Sequence, residues 1–288
     1  MSVIRHASGA LAVGADVGAT RLRLIAVRDG RVVGRLSTKA PRVEDLATFL
    51  HGVWKARGWN RRDIGALVVA SRGIWTPRER YAQARRLARL ATRVQVLSDA
   101  QAALLGALGD RPGLLVLAGT GSIVIGRDGR GRWGRAGGLG PLLGDEGSAF
   151  WIGRAWLRAT TRGEDFLPVR RLVTRPDAVA RIAALAPTVL RRARRGDPRA
   201  RAIVREAQAH LARLAIDVAR QLGLSRPIAV SWAGGVLSDA GFRHGLRRAV
   251  TRVGLRARWL APGAAPVIAA VALAERVARG SSRRTRVL

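Results

Sequence analysis

The segment Gly119-Thr120-Gly121-Ser122 is the part of the sequence whose residue types best suit ligand binding. It follows an apolar run at 114–117, which predicts a buried strand, and precedes a β-branched run at 123–125, which predicts a second strand. Glycines on both sides of a threonine let the backbone approach an anion closely, with N–H groups and a hydroxyl directed at it. The spacing therefore indicates an anion-binding turn, with a plain glycine-rich hairpin as the alternative.

A second glycine-rich segment, residues 137–148, follows this strand pair and contains the acidic pair Asp145-Glu146. It lies just before an apolar stretch with Trp151 and Trp156 that predicts a helix. Carboxylates in such a loop can accept hydrogen bonds from the polar edge of a ligand. We expect Asp145 to contact a ligand, the alternative being a carboxylate that only caps the following helix.

The start of the chain, residues 11–36, repeats the pattern of residues 114–133. In each stretch, a predicted strand is followed by a turn of small residues with a threonine, a second strand, the segment Arg-Asp-Gly-Arg and a third strand. The Asp-Gly pair of that segment predicts a tight hairpin turn. Two copies of one β-meander, each opening about half the chain, predict two similar α/β domains. Their phosphate-type turns would then face a common cleft.

Other elements place further candidates and divide the chain. Ser98-Asp99 stand where a helix N-cap belongs, and the apolar run at 228–232 leads into Gly234-Gly235 ahead of a helix, a turn that brings backbone against a flat ligand ring. A final helix is predicted at 267–279. The predicted domains are 1–110 together with the C-terminal segment 266–288, and 111–265, which carries a helical insertion.

Composition narrows the class of protein. The 288 residues include 52 Lys plus Arg against 19 Asp plus Glu, a formal charge of +33, and all basic residues except Lys39 and Lys55 are arginine. They are spread over nearly every segment, which predicts non-specific attraction of polyanions and no specific nucleic-acid partner. The absence of cysteine excludes disulfides and thiolate metal sites and fits the cytoplasm. No apolar run approaches the ~20 residues that span a bilayer, so no membrane partner is expected.

The Asp16-x-Gly18-x-Thr20 turn, the two glycine-rich turns and the lone Asp99 together resemble a known superfamily, that of acetate and sugar kinases, heat-shock chaperone ATPases and actin. The sequence is most similar to the N-acetylglucosamine kinase branch of the BadF/BadG/BcrA/BcrD ATPase family, over about residues 10 to 275. The resemblance implies two ribonuclease-H-like, actin-like ATPase domains flanking a nucleotide cleft. It implies an ATP- and Mg²⁺-dependent kinase acting on an amino sugar or hexose.

The family's roles carry over residue by residue. Asp99 matches the catalytic base that takes the proton from the sugar hydroxyl, and Asp16 matches the residue that holds Mg²⁺ through water. The remaining positions that match ATP contacts are Gly18, Thr20, Gly119, Thr120, Gly121, Ser122, Gly234 and Gly235. With Asp99, the positions that match the sugar-binding site are Gly138, Gly140 and Asp145. Because a helix N-terminus favours a carboxylate by ~0.3–1 kcal/mol, we expect Asp99 to be ionised at pH 7.

The sequence departs from the family pattern in two ways. The loop Ser37-Thr38-Lys39-Ala40-Pro41 lacks the asparagine of the family's sugar kinases, and an ammonium at Lys39 cannot accept a hydrogen bond from an N-acetyl group. The absence of cysteine argues against the sister branch of activators, whose cysteines hold an iron–sulfur cluster. A small-molecule sugar is the expected partner, and a homodimer is compatible with the sequence. The alternative function is a non-catalytic sugar or nucleotide sensor with the same fold.

Overall fold

The computed structural model describes residues 9–18 and 20–280. The chain divides into two compact units, Met1–Gly109 with Gly263–Leu288, and Asp110–Pro262. Each unit contains a five-stranded mixed sheet with helices packed on it, so the predicted α/β class is confirmed. Residues 1–8 of the predicted first domain and 281–288 of the predicted C-terminal segment lie outside the described residues.

The first unit alternates strands and helices. Its elements are β1 Leu11–Val17, β2 Arg21–Arg28, β3 Arg31–Lys39, α1 Leu46–Ala56, β4 Ile64–Ser71, α2 Pro77–Leu87, β5 Arg93–Ser98 and α3 Asp99–Leu108.

The second unit inserts several helices between its third and fourth strands. Its elements are β6 Gly113–Ala118, β7 Ser122–Arg127, β8 Trp133–Gly137, α4 Gly140–Leu143, α5 Ala149–Thr160, α6 Phe166–Val173, α7 Ala178–Ala183, α8 Ala186–Arg194, α9 Pro198–Leu222, β9 Ile228–Ala233, α10 Ala240–Arg252 and β10 Ala257–Trp259. The last helix, α11, spans Pro266–Ala278 and belongs to the first unit.

The two sheets have the same topology. Their orders are β3-β2-β1-β4-β5 and β10-β9-β6-β7-β8. In each, an antiparallel meander is extended by two parallel strands that pair next to the first strand of the meander. This is the arrangement expected of a ribonuclease-H-like domain, and the repeated β-meander predicted from the sequence is confirmed in both units.

The two Arg-Asp-Gly-Arg segments form different turns. Arg28 pairs with Arg31, and Asp29 and Gly30 have φ of 50° and 76°, as a tight two-residue hairpin requires. In the second unit Arg127 pairs with Trp133, so the prediction of a tight turn at Asp128-Gly129 is wrong. The longer loop is organised by the Asp128 carboxylate, which accepts hydrogen bonds from the backbone N–H groups of Arg130 and Arg132 at 2.9 and 2.8 Å.

Both sheet faces of the first unit are buried, but by different residues. One face carries large aliphatic side chains that pack with α1 and the region of α2. On the other face, small residues of the strands meet small residues of α3 and α11, which lets these helices approach the sheet closely. The strand residues are Ala12, Ala66 and Ala70, and the helix residues are Ala102, Ala270 and Ala274. In the second unit α9 lies across β6, β7 and β8 and forms the centre of the core.

Candidate active site

The carboxyl ends of three parallel strands meet at one edge of the first sheet. Val17, Ser71 and Ser98, the last residues of β1, β4 and β5, are paired neighbours in the register. The residues that follow them, Gly18, Arg72 and Asp99, therefore emerge side by side. Ligands of open α/β sheets bind at this edge, where backbone groups and side chains from several strands converge.

Asp16 lies on the small-residue face of this edge. It continues the row of Ala12 and Gly14 on the face that α3 and α11 cover, and its side chain is 11% exposed. Burial raises the pKa of Asp16, the nearby Asp99 carboxylate raises it further, and Arg23 opposes both. Arg23 stands directly across the β1–β2 pair, with its Nη1 3.7 Å from Asp16 Oδ2.

Asp99 is the first residue of α3, where it faces the same edge. The N-cap is Ser98: its Oγ accepts a hydrogen bond from the N–H of Gln101, and the Gln101 side chain accepts one from the N–H of Ser98. Of the pair Ser98-Asp99, Ser98 is therefore the helix cap and Asp99 is not. Its Oδ1 accepts a hydrogen bond from the N–H of Ala100 at 2.8 Å.

Burial is the largest influence on Asp99 and raises its pKa, against the hydrogen bond from Ala100 and the positive charge of Arg72. That Asp99 is ionised at pH 7 stays a prediction from the sequence. Burial outweighs the contacts that favour the charged form because it removes water from the carboxylate, and the backbone hydrogen bonds and the charge of Arg72 replace that water only in part. The structure thus gives Asp99 a raised pKa, which suits a group that must accept a proton.

The turn at Gly18 and Thr20 connects β1 to β2. The N–H of Gly18 donates to the carbonyl of Arg21 at 2.9 Å, and the carbonyl of Thr20 accepts from the N–H of Ala40 at 3.0 Å. Thr20 is exposed, so its hydroxyl is accessible beside the two carboxylates of the same edge. These contacts hold the turn that was predicted to bind phosphate.

The matching turn of the second unit is held by the start of α5. The N–H of Ala149 donates to the carbonyl of Gly119 at 2.8 Å, and the N–H of Phe150 donates to the carbonyl of Thr120 at 3.2 Å. These two carbonyls are therefore bonded to the start of α5, and Thr120 itself is exposed. The arrangement leaves the Thr120 hydroxyl accessible, as an anion site requires, whereas the N–H group of Gly119 is bonded to the carbonyl of Gly121.

Ser122 brings the predicted sugar loop onto this turn. Asp145, with φ of 62°, accepts a hydrogen bond from the N–H of Ser122 through Oδ1 at 3.1 Å, and Ser122 Oγ donates to the carbonyl of Glu146 at 2.7 Å. The N–H of Gly138 donates to the carbonyl of Ser122 at 3.0 Å. Gly138 and Asp145 are therefore fastened to the Gly119-Thr120-Gly121-Ser122 turn, a link that sequence reasoning did not reveal.

The helix-capping alternative for Asp145 is also wrong. Ser148 caps α5 by accepting a hydrogen bond from the N–H of Trp151 at 3.1 Å. Asp145 is 8% exposed, and burial raises its pKa. Gly140 has φ of 81° and no atom within 4 Å of where a Cβ would stand, so the loop is open at this position.

Gly234 and Gly235 lie where β9 ends next to β6, and the structure separates their roles. A Cβ on Gly234, whose φ is 99°, would lie 2.3 Å from the carbonyl oxygen of Ala118. A Cβ on Gly235 would meet nothing within 4 Å. Gly234 is therefore required by the close approach of two strand ends, whereas Gly235 leaves its backbone open to a ligand.

Sequence reasoning missed two arginines of the first edge, Arg23 and Arg72. Each acts on the charge of a carboxylate, Arg23 on Asp16 and Arg72 on Asp99. In a chain whose basic residues are almost all arginine, neither position carried a distinguishing pattern. Only the strand register brings them to the site.

The first unit offers a fitting environment for a hydrated divalent cation. Asp16 and Asp99 supply hard carboxylate oxygens, the ligand type that Mg²⁺ prefers, and the mutual repulsion that raises the pKa of Asp16 would be relieved by a cation. Over residues 9–18 and 20–280, no group of three or more His, Cys, Asp or Glu side chains is placed to bind a metal by itself. Mg²⁺ usually keeps several waters and binds through one or two carboxylates together with substrate phosphates, which this site permits.

None of the helices in the described part of the chain is both long and apolar enough to cross a bilayer.

Comparisons with known proteins identify the family of this chain. The sequence profile described as the BadF/BadG/BcrA/BcrD ATPase family matches residues 13–274. An N-acetylmuramic acid/N-acetylglucosamine kinase of Clostridium acetobutylicum is 31% identical over 174 residues, which are 53% of this chain and 57% of that protein. An N-acetyl-D-glucosamine kinase of Dictyostelium discoideum is 31% identical over 143 residues, 42% of this chain and 45% of that protein. The chain thus spans about half the length of the curated relatives that it matches.

Solved structures support the fold. A proposed N-acetylglucosamine kinase from Chromobacterium violaceum superposes with a TM-score of 0.65 at 24% identity, covering 93% of this chain and 99% of that one. A ROK hexokinase from Thermus thermophilus superposes with a TM-score of 0.61 at 18% identity, covering 92% and 98% of the two chains. At these identities the likeness establishes the two-domain ribonuclease-H-like fold.

Proposed function

The chain belongs to the BadF/BadG/BcrA/BcrD ATPase family, and we propose that it is an ATP- and Mg²⁺-dependent kinase that phosphorylates a hydroxyl of an amino sugar or hexose. The observation that carries this proposal is the pair of carboxylates, Asp16 and Asp99, at one sheet edge, each with a pKa raised by burial. One suits holding a hydrated metal and the other suits accepting a proton. The names of the two curated relatives, both sugar kinases, support the substrate class.

In the proposed reaction the oxygen of a sugar hydroxyl forms a bond to the γ-phosphorus of ATP. The bond from that phosphorus to the bridging oxygen of ADP breaks, and the proton of the hydroxyl passes to the Asp99 carboxylate. A base whose pKa is raised toward the working pH accepts this proton more readily. Bound Mg²⁺ would neutralise phosphate charge. Asp16 would hold its water, and the exposed Thr20 and Thr120 hydroxyls would donate to phosphate oxygens.

The direct test is a coupled assay of ADP release with ATP, Mg²⁺ and a sugar, together with mass spectrometry of the sugar phosphate. The proposal requires ADP release that depends on the sugar and matches the phosphate ester formed. The alternative, a sensor, would be stabilised against heat by ATP or sugar without releasing ADP, and that result would overturn the kinase. A homodimer and a cytoplasmic location stay predictions from the sequence.

The rate should depend on pH through Asp99. Because the base must be ionised and burial raises its pKa, kcat/KM should fall on the acid side at a higher pH than an ordinary aspartate would give. The charge of Arg72 lowers the pKa of Asp99, so Arg72→Gln should move this acid limb further toward high pH. A pH profile of kcat/KM measures both effects.

Arg89→Gln is the matched control for this profile, because it removes one exposed guanidinium from the same unit. It should leave the acid limb in place. If the acid limb moved equally in Arg72→Gln and Arg89→Gln, the shift would reflect the overall positive charge of the protein and not the charge of Arg72 near Asp99. If the acid limb of the kcat/KM profile did not move in Arg72→Gln, Asp99 would not be the base that titrates there.

We further expect the enzyme to discriminate weakly in favour of an N-acetyl group. Lys39 ends β3 opposite Arg21, at the same sheet edge as Gly18, and its exposed ammonium can donate a hydrogen bond but cannot accept one. The kcat/KM values for N-acetylglucosamine, glucosamine, glucose, N-acetylmuramate and N-acetylmannosamine should therefore lie within about a hundredfold, ~2.7 kcal/mol in transition-state binding.

Lys39→Asn restores the family's asparagine and should raise the preference for the N-acetylated sugars. The other lysine of the chain, Lys55 in α1, supplies the control, because Lys55→Asn removes the same charge away from this edge. A wild-type preference for N-acetylglucosamine above a hundredfold would contradict the argument from Lys39. An unchanged preference in Lys39→Asn would contradict it as well.

A further inference from the structure

A cavity of about 390 Å³ lies in the second unit, where α8 ends and α9 begins. Its walls are formed by Thr188, Arg191, Arg192, Arg195 and Asp197. None of these residues takes part in the proposed phosphoryl transfer. A volume of this size lies within the range of small-molecule sites, about 300–1,000 Å³.

The backbone around the cavity is fixed by its own hydrogen bonds. The N–H groups of Arg195, Gly196 and Asp197 donate to the last carbonyls of α8 at 3.1–3.2 Å. Asp197 caps α9 by accepting a hydrogen bond from the N–H of Ala200 at 3.0 Å. Because the carbonyls of Arg191, Arg192 and Ala193 are already bonded, the side chains are the main polar groups left to meet a ligand.

Two of the three guanidinium groups are held in place. The Nη2 of Arg191 donates to Thr188 Oγ1 at 2.8 Å. The guanidinium carbon of Arg192 stands 5.2 Å from the centre of the Trp156 ring, and its Nη1 is 3.9 Å from Asp197 Oδ2. A stacked or hydrogen-bonded guanidinium has lost part of its freedom before a ligand arrives, so binding costs it less entropy.

The third group, Arg195, makes no side-chain hydrogen bond or ion pair within residues 20–280. Three guanidinium groups and one carboxylate leave the cavity walls with a formal charge of +2. Guanidinium forks bind phosphate oxygens in pairs, and a phosphate monoester carries close to two negative charges at neutral pH. We propose that this cavity binds the phosphate group of a small phosphate monoester.

The proposal is independent of the kinase assignment. Isothermal titration at ~0.15 M ionic strength with inorganic phosphate, glucose 6-phosphate and AMP gives the affinity for phosphate and shows whether a sugar or a nucleoside improves it. At that ionic strength, exposed charges more than about 8 Å from the ligand are largely screened, so the distant arginines of the chain contribute little. Unphosphorylated glucose and adenosine serve as neutral comparisons.

Arg195→Gln should lower the affinity of this cavity for the phosphate esters by about tenfold, because it removes a charged hydrogen-bond donor. Arg199→Gln removes an exposed arginine from the first turn of α9, outside the cavity, and should change the affinity by less than about twofold. Asp197→Asn keeps a residue that can cap α9 while removing the negative charge, so it should tighten the same site. Thermal unfolding of each variant checks that the fold persists.

Equal losses in Arg195→Gln and Arg199→Gln would show diffuse attraction of anions and would overturn the proposal. Equal affinity for the phosphate esters and their neutral counterparts would also overturn it. So would displacement of the esters by single-stranded DNA, if the DNA affinity fell equally in Arg195→Gln and Arg199→Gln. An affinity that fell in Asp197→Asn would contradict the charge argument.

Discussion

Replacing Asp99 by asparagine is expected to lower kcat for sugar phosphorylation by about 10²–10⁴-fold, the usual contribution of a positioned general base. The amide has the shape of the carboxyl, and its Oδ1 can still accept the hydrogen bond from the N–H of Ala100. It cannot take a proton from the attacking hydroxyl. Nucleotide affinity, measured by titration calorimetry, should stay within about twofold of wild type, because the loss falls on the transition state.

The same variant should be more stable than wild type at neutral pH. Burial raises the folded-state pKa of Asp99, so the ionised carboxyl is disfavoured in the folded protein relative to the unfolded chain. The stability that this carboxyl contributes is therefore full below its unfolded pKa and is lost as the pH rises through its folded pKa. An asparagine has no such loss, so the difference in Tm should be largest near neutrality and should vanish in acid.

Asp45→Asn provides the control, because Asp45 is an exposed carboxylate before α1 with no side-chain capping bond. It should change neither kcat nor Tm appreciably. An Asp99→Asn variant that kept wild-type turnover would remove Asp99 from the role of base. If turnover fell together with Tm and nucleotide affinity, the role of Asp99 would be structural. The assignment of Asp99 as the general base would then be contradicted.

The fold was predictable where local chemistry and the global arrangement agree. The meander at the start of each unit follows from alternating apolar runs and small-residue turns, and Asp29-Gly30 forms the tight turn that its sequence predicts. Asp128-Gly129 has the same sequence but forms a wider loop, because the Asp128 carboxylate accepts two backbone N–H groups and pairs with Arg132. The conformation of that loop depends on side-chain hydrogen bonds of Asp128, which the Asp-Gly dipeptide alone does not predict.

The candidate site shows a similar division. The resemblance picked out Asp16 and Asp99, but it could not tell that burial shifts both carboxyls in the same direction, since that depends on α3 and α11 covering the sheet. Arg72 gave no sequence pattern and reaches Asp99 only through the pairing of β4 with β5. Asp145 was predicted as a sugar contact, and its hydrogen bond to Ser122 joins that loop to the phosphate turn through a non-local contact.

Gly234→Ala is expected to destabilise the protein by about 2–5 kcal/mol. The added methyl group would lie 2.3 Å from the carbonyl oxygen of Ala118, and alanine at a φ of 99° is itself strained. Each of these faults costs about 1–3 kcal/mol, and the backbone of β6 cannot move away without disturbing its pairing with β9. Chemical denaturation monitored by tryptophan fluorescence measures the loss.

The neighbouring glycine provides the contrast. Gly235 has φ of −61°, and a Cβ there meets nothing within 4 Å, so Gly235→Ala should change the free energy of unfolding by no more than about 0.5 kcal/mol. The family resemblance matches Gly234 and Gly235 to the loop that contacts the adenosine of ATP. If Gly235 has that position, the methyl group should weaken nucleotide binding by about tenfold or more, which calorimetry with an ATP analogue would show. Unchanged nucleotide affinity in Gly235→Ala would place the adenosine elsewhere. Equal destabilisation by both substitutions would contradict the distinction between a packed glycine and an open one.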